Sequence, residues 1–199
     1  SAPNEKPEVI PSLQEWYGYE GDFELTESSK IIYNDTADAG IREAAWNMQE
    51  DLKEIAGLDL TVEEGNAPAS SNDIYIESQT DDTYGVGDEG YLLKTDDEGV
   101  HIYAPTYTGC LYGTITVEQS LDQAEDNRTV PKGITRDYPA YEVRGIMLDV
   151  ARTPYRLSQL QDYAKIMLWY KMNEYHLHIN DNDNCNTAFA SNETHAGFH

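Results

Sequence analysis

The sequence predicts two unlike folds in tandem. Residues 1–138 read as an α+β domain, a mostly antiparallel sheet with two helices, and residues 139–199 as the opening βαβ segment of a parallel α/β architecture. Three observations carry this. Short strand patterns and two helix patterns mix in the first part without strict β, α alternation. Two blocks, RGIMLDVAR at 144–152 and NEYHLHIND at 173–181, flank the helix-like stretch SQLQDYAKIMLWYKM, which makes a strand–helix–strand unit. The charge is also lopsided. Of the formal net charge of −24, residues 141–199 hold −2 (five Lys/Arg against seven Asp/Glu), which leaves −22 for residues 1–140. The change falls at residues 137–139, just ahead of the first block, as at a domain boundary.

The elements follow in order. Residues 1–14 are proline-rich and irregular, and residues 21–25 and 30–33 read as short strands. Residues 37–56 place Ile41, Ala45, Met48, Leu52 and Ile55 at spacings of 4, 3, 4 and 3, one face of a helix. Gly57 stands where a C-terminal glycine ends it. Strands are expected at 58–62, 73–77, 91–95 and 100–104, with EGNAPASSN (64–72) as a surface loop. The turn residues TDDEG at 95–99 pair the last two strands antiparallel. Residues 107–122 make a second helix, weak in propensity but apolar on one face, and 123–132 a polar connection. After the second block the chain runs on as an Asn-rich polar loop over 180–199.

So acidic a chain argues against nucleic acid and against anionic membranes as partners. It is compatible with a neutral ligand, or with solubility alone. No apolar run approaches the roughly 20 residues needed to span a bilayer. The two cysteines, Cys110 and Cys185, have no metal-type spacing and make no disulfide framework.

In a βαβ unit both strands end on the same sheet edge, where α/β proteins keep their chemistry. Asp149 and Asp181 are therefore expected together at a functional edge. His176 and His178 alternate with apolar neighbours and share a face; with Asp181 and His195 they read either as a metal site or, better, as packing and hydrogen-bonding groups. The run Asp181–Asn182–Asp183 starts like a calcium loop, but Asn186 and Asn192 stand where the glycine and glutamate of an EF-hand belong. The expectation is no metal and no cofactor.

RGIMLDVAR followed by KMNEYHLHIND resembles the family 20 glycoside hydrolases, the β-N-acetylhexosaminidases and their lacto-N-biosidase relatives. The upstream segment EGYLLKTDDEGVHIYAPTYTGCLYGTITVEQSL looks like the end of that family's accessory domain. The resemblance implies a TIM-barrel catalytic domain, of which residues 139–199 are an incomplete first part, preceded by the accessory domain over 1–138. It implies hydrolysis of terminal β-linked N-acetylhexosamine on glycans, assisted by the substrate's own acetamido group. It implies that Arg144 grips sugar hydroxyls, that Asp181 supports the catalytic acid, and that Asp149 and Arg152 orient the loop after the first strand. The alternative for Arg144 is an ion-paired strand cap, and for Asp181 a strand-end turn.

The chain departs from the family pattern at Asp181–Asn182–Asp183, where two adjacent acids are usual, and at Asn184–Cys185–Asn186. The family's catalytic Asp–Glu pair belongs to a later strand and has no counterpart here. A barrel needs about 250 residues, so the chain by itself is expected to be inactive, and its open strands to self-associate. Extracellular or cell-surface placement is expected, since glycans are met there. A different class of reading is a non-catalytic glycan-binding or structural module, with Tyr19, Tyr84, Tyr107 and Tyr112 as stacking candidates against their use as sheet filling. An interaction scaffold fits the charge but leaves the two blocks unexplained.

Overall fold

The structure is a computed structural model and describes residues 2–35, 40–151, 153 and 155–179. The chain divides into two compact units, Ser1–Ala140 and Tyr141–His199.

The first unit is built on seven strands: β1 (Tyr17–Glu24), β2 (Lys30–Asn34), β3 (Thr61–Glu64), β4 (Ile74–Ser78), β5 (Tyr91–Asp96), β6 (Gly99–Ala104) and β7 (Thr129–Asp137). Their spatial order is β1-β7-β5-β6-β4-β2-β3. The α+β class stands, but the sheet is evenly mixed rather than mostly antiparallel. The pairs β1·β7, β7·β5 and β5·β6 are antiparallel, whereas β6·β4, β4·β2 and β2·β3 are parallel. A helical crossover accounts for one of the three parallel pairs, β2·β3, and for the shared direction of β6 and β7, which are not neighbours. Helix α1 (Ile41–Ala56) joins β2 to β3, and α2 (Tyr107–Gln123) joins β6 to β7. A helical crossover brings the chain back to its starting end, so the strands it joins run the same way. The hairpin read from TDDEG is present, with Leu92 opposite Tyr103 and Asp96 opposite Gly99.

Part of the expected connection at 123–132 is strand, since β7 starts at Thr129. Its buried positions are Val130, Gly133, Thr135 and Asp137, too small and too polar to show as an apolar alternation. Pro131 also argues against a strand in sequence. It sits opposite Asp22, beside an irregularity in β1 between Gly18 and Asp22.

Helix α1 buries Ile41, Ala44, Ala45, Met48, Gln49, Leu52 and Ala56, the face its periodicity predicts save that Ile55 is half-buried. It ends at Gly57, which takes the left-handed conformation with φ 66°. Helix α2 is unlike its expectation of one apolar face. It is buried almost all round from Gly109 to Leu121, because it packs on β4, β5, β6 and β7 and also against α1. Two glycines allow that approach: a Cβ on Gly109 would stand 2.1 Å from the Gly90 carbonyl oxygen, and one on Gly113 2.5 Å from Ile102 Cγ2.

Several polar groups drawn in with α2 have partners, while Glu118 Oε2 has no hydrogen-bond partner among the described residues. The Tyr91 hydroxyl donates to Asp137 Oδ2 at 2.6 Å, and Asp137 Oδ1 accepts from the Gln14 amide at 3.0 Å. Gln119 exchanges two hydrogen bonds with the main chain of Ile10, at 2.8 and 2.9 Å. Glu118, 1% exposed, faces Asp51; burial first, then that second carboxyl, pushes its pKa well above the usual carboxylate range. At the head of β4 the buried Asp73 accepts from the amides of Lys30, Ala69 and Ser70, which ties loop 65–73 to the start of β2.

The second unit has the predicted grammar: β8 (Gly145–Asp149), α3 (Leu157–Trp169) and β9 (Glu174–His178). β8 and β9 pair in parallel, from Gly145 opposite Glu174 to Asp149 opposite His178. The Arg156 amide donates to Gln159 Oε1 at 2.9 Å, half of a capping box that starts α3. Met167 alone is buried on this helix.

Candidate active site

The parallel register sets Asp149 and His178 side by side at the C-terminal ends of their strands. The edge is fastened there. The amides of Val150 and Ala151 both donate to the His178 carbonyl, at 3.1 and 3.3 Å, and Ala151 N–H also reaches Asp149 Oδ1 at 3.1 Å.

Alternation sorts the two faces of the pair. Ile146, Leu148, Tyr175 and Leu177 share one; Met147, Asp149, His176 and His178 share the other. Tyr175 lies toward α3, where burial and the neighbouring Tyr163 and Tyr155 raise its pKa. Asp149, His176 and His178 therefore turn away from the helix. In a barrel, whose helices form the outer ring, that is the interior face. A carboxylate and an imidazole side by side there can hydrogen-bond a ligand or hold a proton.

Arg144 is placed at the opposite end of the same strand. It precedes Gly145, at the N-terminal edge, and its guanidinium donates to main-chain carbonyls: Nε to Lys171 at 2.9 Å and Nη1 to Tyr141 at 2.7 Å. Asn173, which the sequence reading passed over, completes this knot. Its Oδ1 accepts from the Arg144 amide at 2.9 Å, and its Nδ2 donates to the Glu142 carbonyl at 2.7 Å. Nothing in sequence marks Asn173 as special. Arg144 and Asp149, two members of the expected site, thus stand at opposite edges of the strand.

Asp181, Arg152, Asp183, Cys185 and His195 lie outside the described residues. Of the stacking candidates, Tyr112 is buried, its hydroxyl donating to Glu89, and Tyr84 lies ring to ring with Tyr103 at 6.1 Å. Tyr107 is half-buried at the start of α2, and Tyr19 meets Tyr17 edge-on at 5.9 Å. Cys110 is buried in α2, with its Sγ 3.5 Å from the Glu77 carbonyl. Among the described residues no helix is long and apolar enough to cross a membrane.

Residues 6–138 match the family model described as glycosyl hydrolase family 20, domain 2, and residues 141–190 match the family 20 catalytic domain. A β-hexosaminidase of Porphyromonas gingivalis is 29% identical over 180 residues, covering 87% of this chain and 22% of that protein. A lacto-N-biosidase of Bifidobacterium bifidum is 27% identical over 143 residues, covering 72% of this chain and 12% of that protein. Among solved structures, the family 20 β-N-acetylhexosaminidase of Streptomyces coelicolor superposes with a TM-score of 0.76 at 26% identity, over 91% of this chain and 36% of that one. Fold and matches together define the class: an α+β domain leading into an α/β segment, each matched by a domain model of one glycoside hydrolase family. The chain belongs to glycoside hydrolase family 20. It spans about a fifth of the length of the P. gingivalis relative.

Proposed function

We propose that the protein acts within an enzyme that removes terminal β-linked N-acetylhexosamine from glycans. Family membership across both units is the observation that supports this. In this reading residues 1–138 are the accessory domain and residues 139–199 open a (β/α)₈ barrel. Hydrolysis is retaining and substrate-assisted, an exception to the two-carboxylate scheme: the acetamido oxygen attacks the anomeric carbon while a glutamic acid protonates the leaving oxygen. The catalytic Asp–Glu pair lies beyond residue 199, and the 199-residue chain alone has no turnover. The substrate is a glycan met outside the cell or at its surface, and no cofactor is needed.

Within the chain, Asp149 holds the edge loop through Ala151 and faces the barrel interior. Asp181 supports the downstream catalytic acid. Arg144 grips hydroxyls of the terminal sugar through its guanidinium fork, and Arg152 serves with Asp149 to orient the loop after the first strand. The open edges of β8 and β9 drive self-association of the chain when the rest of a barrel is missing.

The test is to extend the chain to a full barrel, roughly 250 residues from position 139. Turnover of p-nitrophenyl β-N-acetylglucosaminide is then measured beside Arg144→Ala and Arg152→Ala. Expected are activity in the extended protein only, a loss of about 10²-fold or more in Arg144→Ala, and a smaller loss in Arg152→Ala. Turnover by the 199-residue chain, or none by the extended protein on this substrate and on a lacto-N-biose glycoside, refutes the reading. Sugar binding without turnover would turn it toward a non-catalytic module.

A further inference from the structure

The first unit has a cavity of its own. It has a volume of about 320 Å³ and is lined by Glu15, Trp16, Tyr17, Leu92, Ile134 and Arg136. That is the low end of the roughly 300–1,000 Å³ typical of small-molecule sites. It lies on the β1, β7 and β5 side of the sheet, where Tyr17 pairs with Ile134, and Leu92 with Arg136.

Its parts differ in character. Leu92 and Ile134 make an apolar floor. Tyr17, 69% exposed, stands at the edge with its ring supported by Tyr19, 5.9 Å away. The rim is a bidentate ion pair: Arg136 Nε and Nη2 donate to the two Glu15 oxygens at 3.0 and 2.7 Å. Arg136 Nη1 is held by the Tyr84 carbonyl at 3.1 Å, and the guanidinium lies 5.9 Å from the Tyr138 ring centre. The segment carrying Glu15 and Tyr17 is anchored between them by Trp16, whose indole N–H donates to the Asn4 carbonyl at 3.1 Å. The same indole fills the space where a Cβ on Gly133 would stand.

We propose that this pocket binds a neutral saccharide. A ring of C–H groups suits the exposed Tyr17 face and the Leu92–Ile134 floor, as amphipathic ligands stack on aromatic rings. Hydroxyls suit the rim, because a paired carboxylate and guanidinium keep lone pairs and N–H groups to offer in fixed planes. The rim pair neutralises itself, so the pocket selects no net charge, while the −24 of the chain disfavours anions. The site goes beyond the hydrolytic reading. It needs no barrel and is measured on the 199-residue chain.

The experiment is a ¹H–¹⁵N NMR titration of that chain with N,N′-diacetylchitobiose and with lactose. Saturable shifts at the amides of Leu92, Ile134 and Arg136 are expected, with binding weakened about tenfold in Tyr17→Ala and retained in Tyr17→Trp. Arg136→Lys keeps the charge but loses the planar fork, and is expected to weaken binding as well. No saturable shifts with either sugar overturns the proposal, and so does binding that Tyr17→Ala leaves unchanged. Shifts confined to residues 141–179 also overturn it, since they place the sugar on the second unit.

Discussion

The two units use their apolar residues in opposite ways. In the first, large side chains such as Ile31, Ile74, Met48, Leu52 and Ile102 have 0% exposure. In the second, Met147 and Leu157 are 67% and 70% exposed, and only Met167 is buried among the apolar residues of α3. Composition does not cause this, since RGIMLDVAR and SQLQDYAKIMLWYKM are as apolar as any stretch of the first unit. The architecture does. A seven-stranded sheet with two crossover helices closes a core by itself, whereas one βαβ unit presents two sheet edges and an unpacked helix. A barrel strand is a part designed for neighbours on both sides.

Three measurements break or sharpen that contrast. The largest effect is expected from cutting the chain at residue 140. Residues 1–140 should unfold cooperatively at the Tm of the whole chain, and residues 141–199 alone should show no cooperative melt by circular dichroism. A cooperative melt of 141–199 would show that the βαβ unit closes a core without neighbours. Next come matched truncations. Leu52→Ala, in a site with no solvent access, should cost about 2–5 kcal/mol in urea unfolding, and Met147→Ala no more than about 0.5 kcal/mol. Similar losses at both sites would mean that the second unit is packed in solution.

The smallest effect concerns a proton. Above about pH 4.3 the unfolded Glu118 carboxyl ionises, while the buried one, raised by burial and by Asp51, keeps its proton. The folded state then binds more protons, so stability falls as pH rises until the folded pKa is passed. Glu118→Gln keeps the shape without the titration. It should therefore be more stable than the parent chain at pH 7, with the gap closing toward pH 4. A gap that does not change with pH would mean Glu118 is ionised in the fold.

Legibility followed the same division. The βαβ unit was plain in sequence because its strands are apolar runs bounded by charges, and α1 because its 4, 3 spacing is regular. β7 was not, because its buried positions include glycine, threonine and aspartate: the Trp16 indole takes the place of a side chain at Gly133, and Thr135 and Asp137 are held by the Glu15 carbonyl and by Tyr91 and Gln14. The parallel half of the sheet was missed because hydropathy records which residues are inside, and strand direction depends on which end a crossover returns to. At the candidate site, sequence identified the strand and its two ends but not Asn173, whose contacts to the Arg144 amide and the Glu142 carbonyl span about thirty positions. The rim pair of the saccharide pocket joins residues 121 positions apart, and no local pattern records that.

For anyone engineering a hardier version of this chain, α2 sets a trap. A scan for weak helix formers would select Gly109 and Gly113 first, since glycine to alanine in a helix ordinarily gains about 0.5–1 kcal/mol. Here the added methyl would meet the Gly90 carbonyl and Ile102 Cγ2 at 2.1 and 2.5 Å. The helix would have to lift off the sheet, and the strap that Gln119 holds at Ile10 would lift with it. Its low propensity is what lets it lie so close, so thermostabilisation belongs on α1's outward face and in the loops.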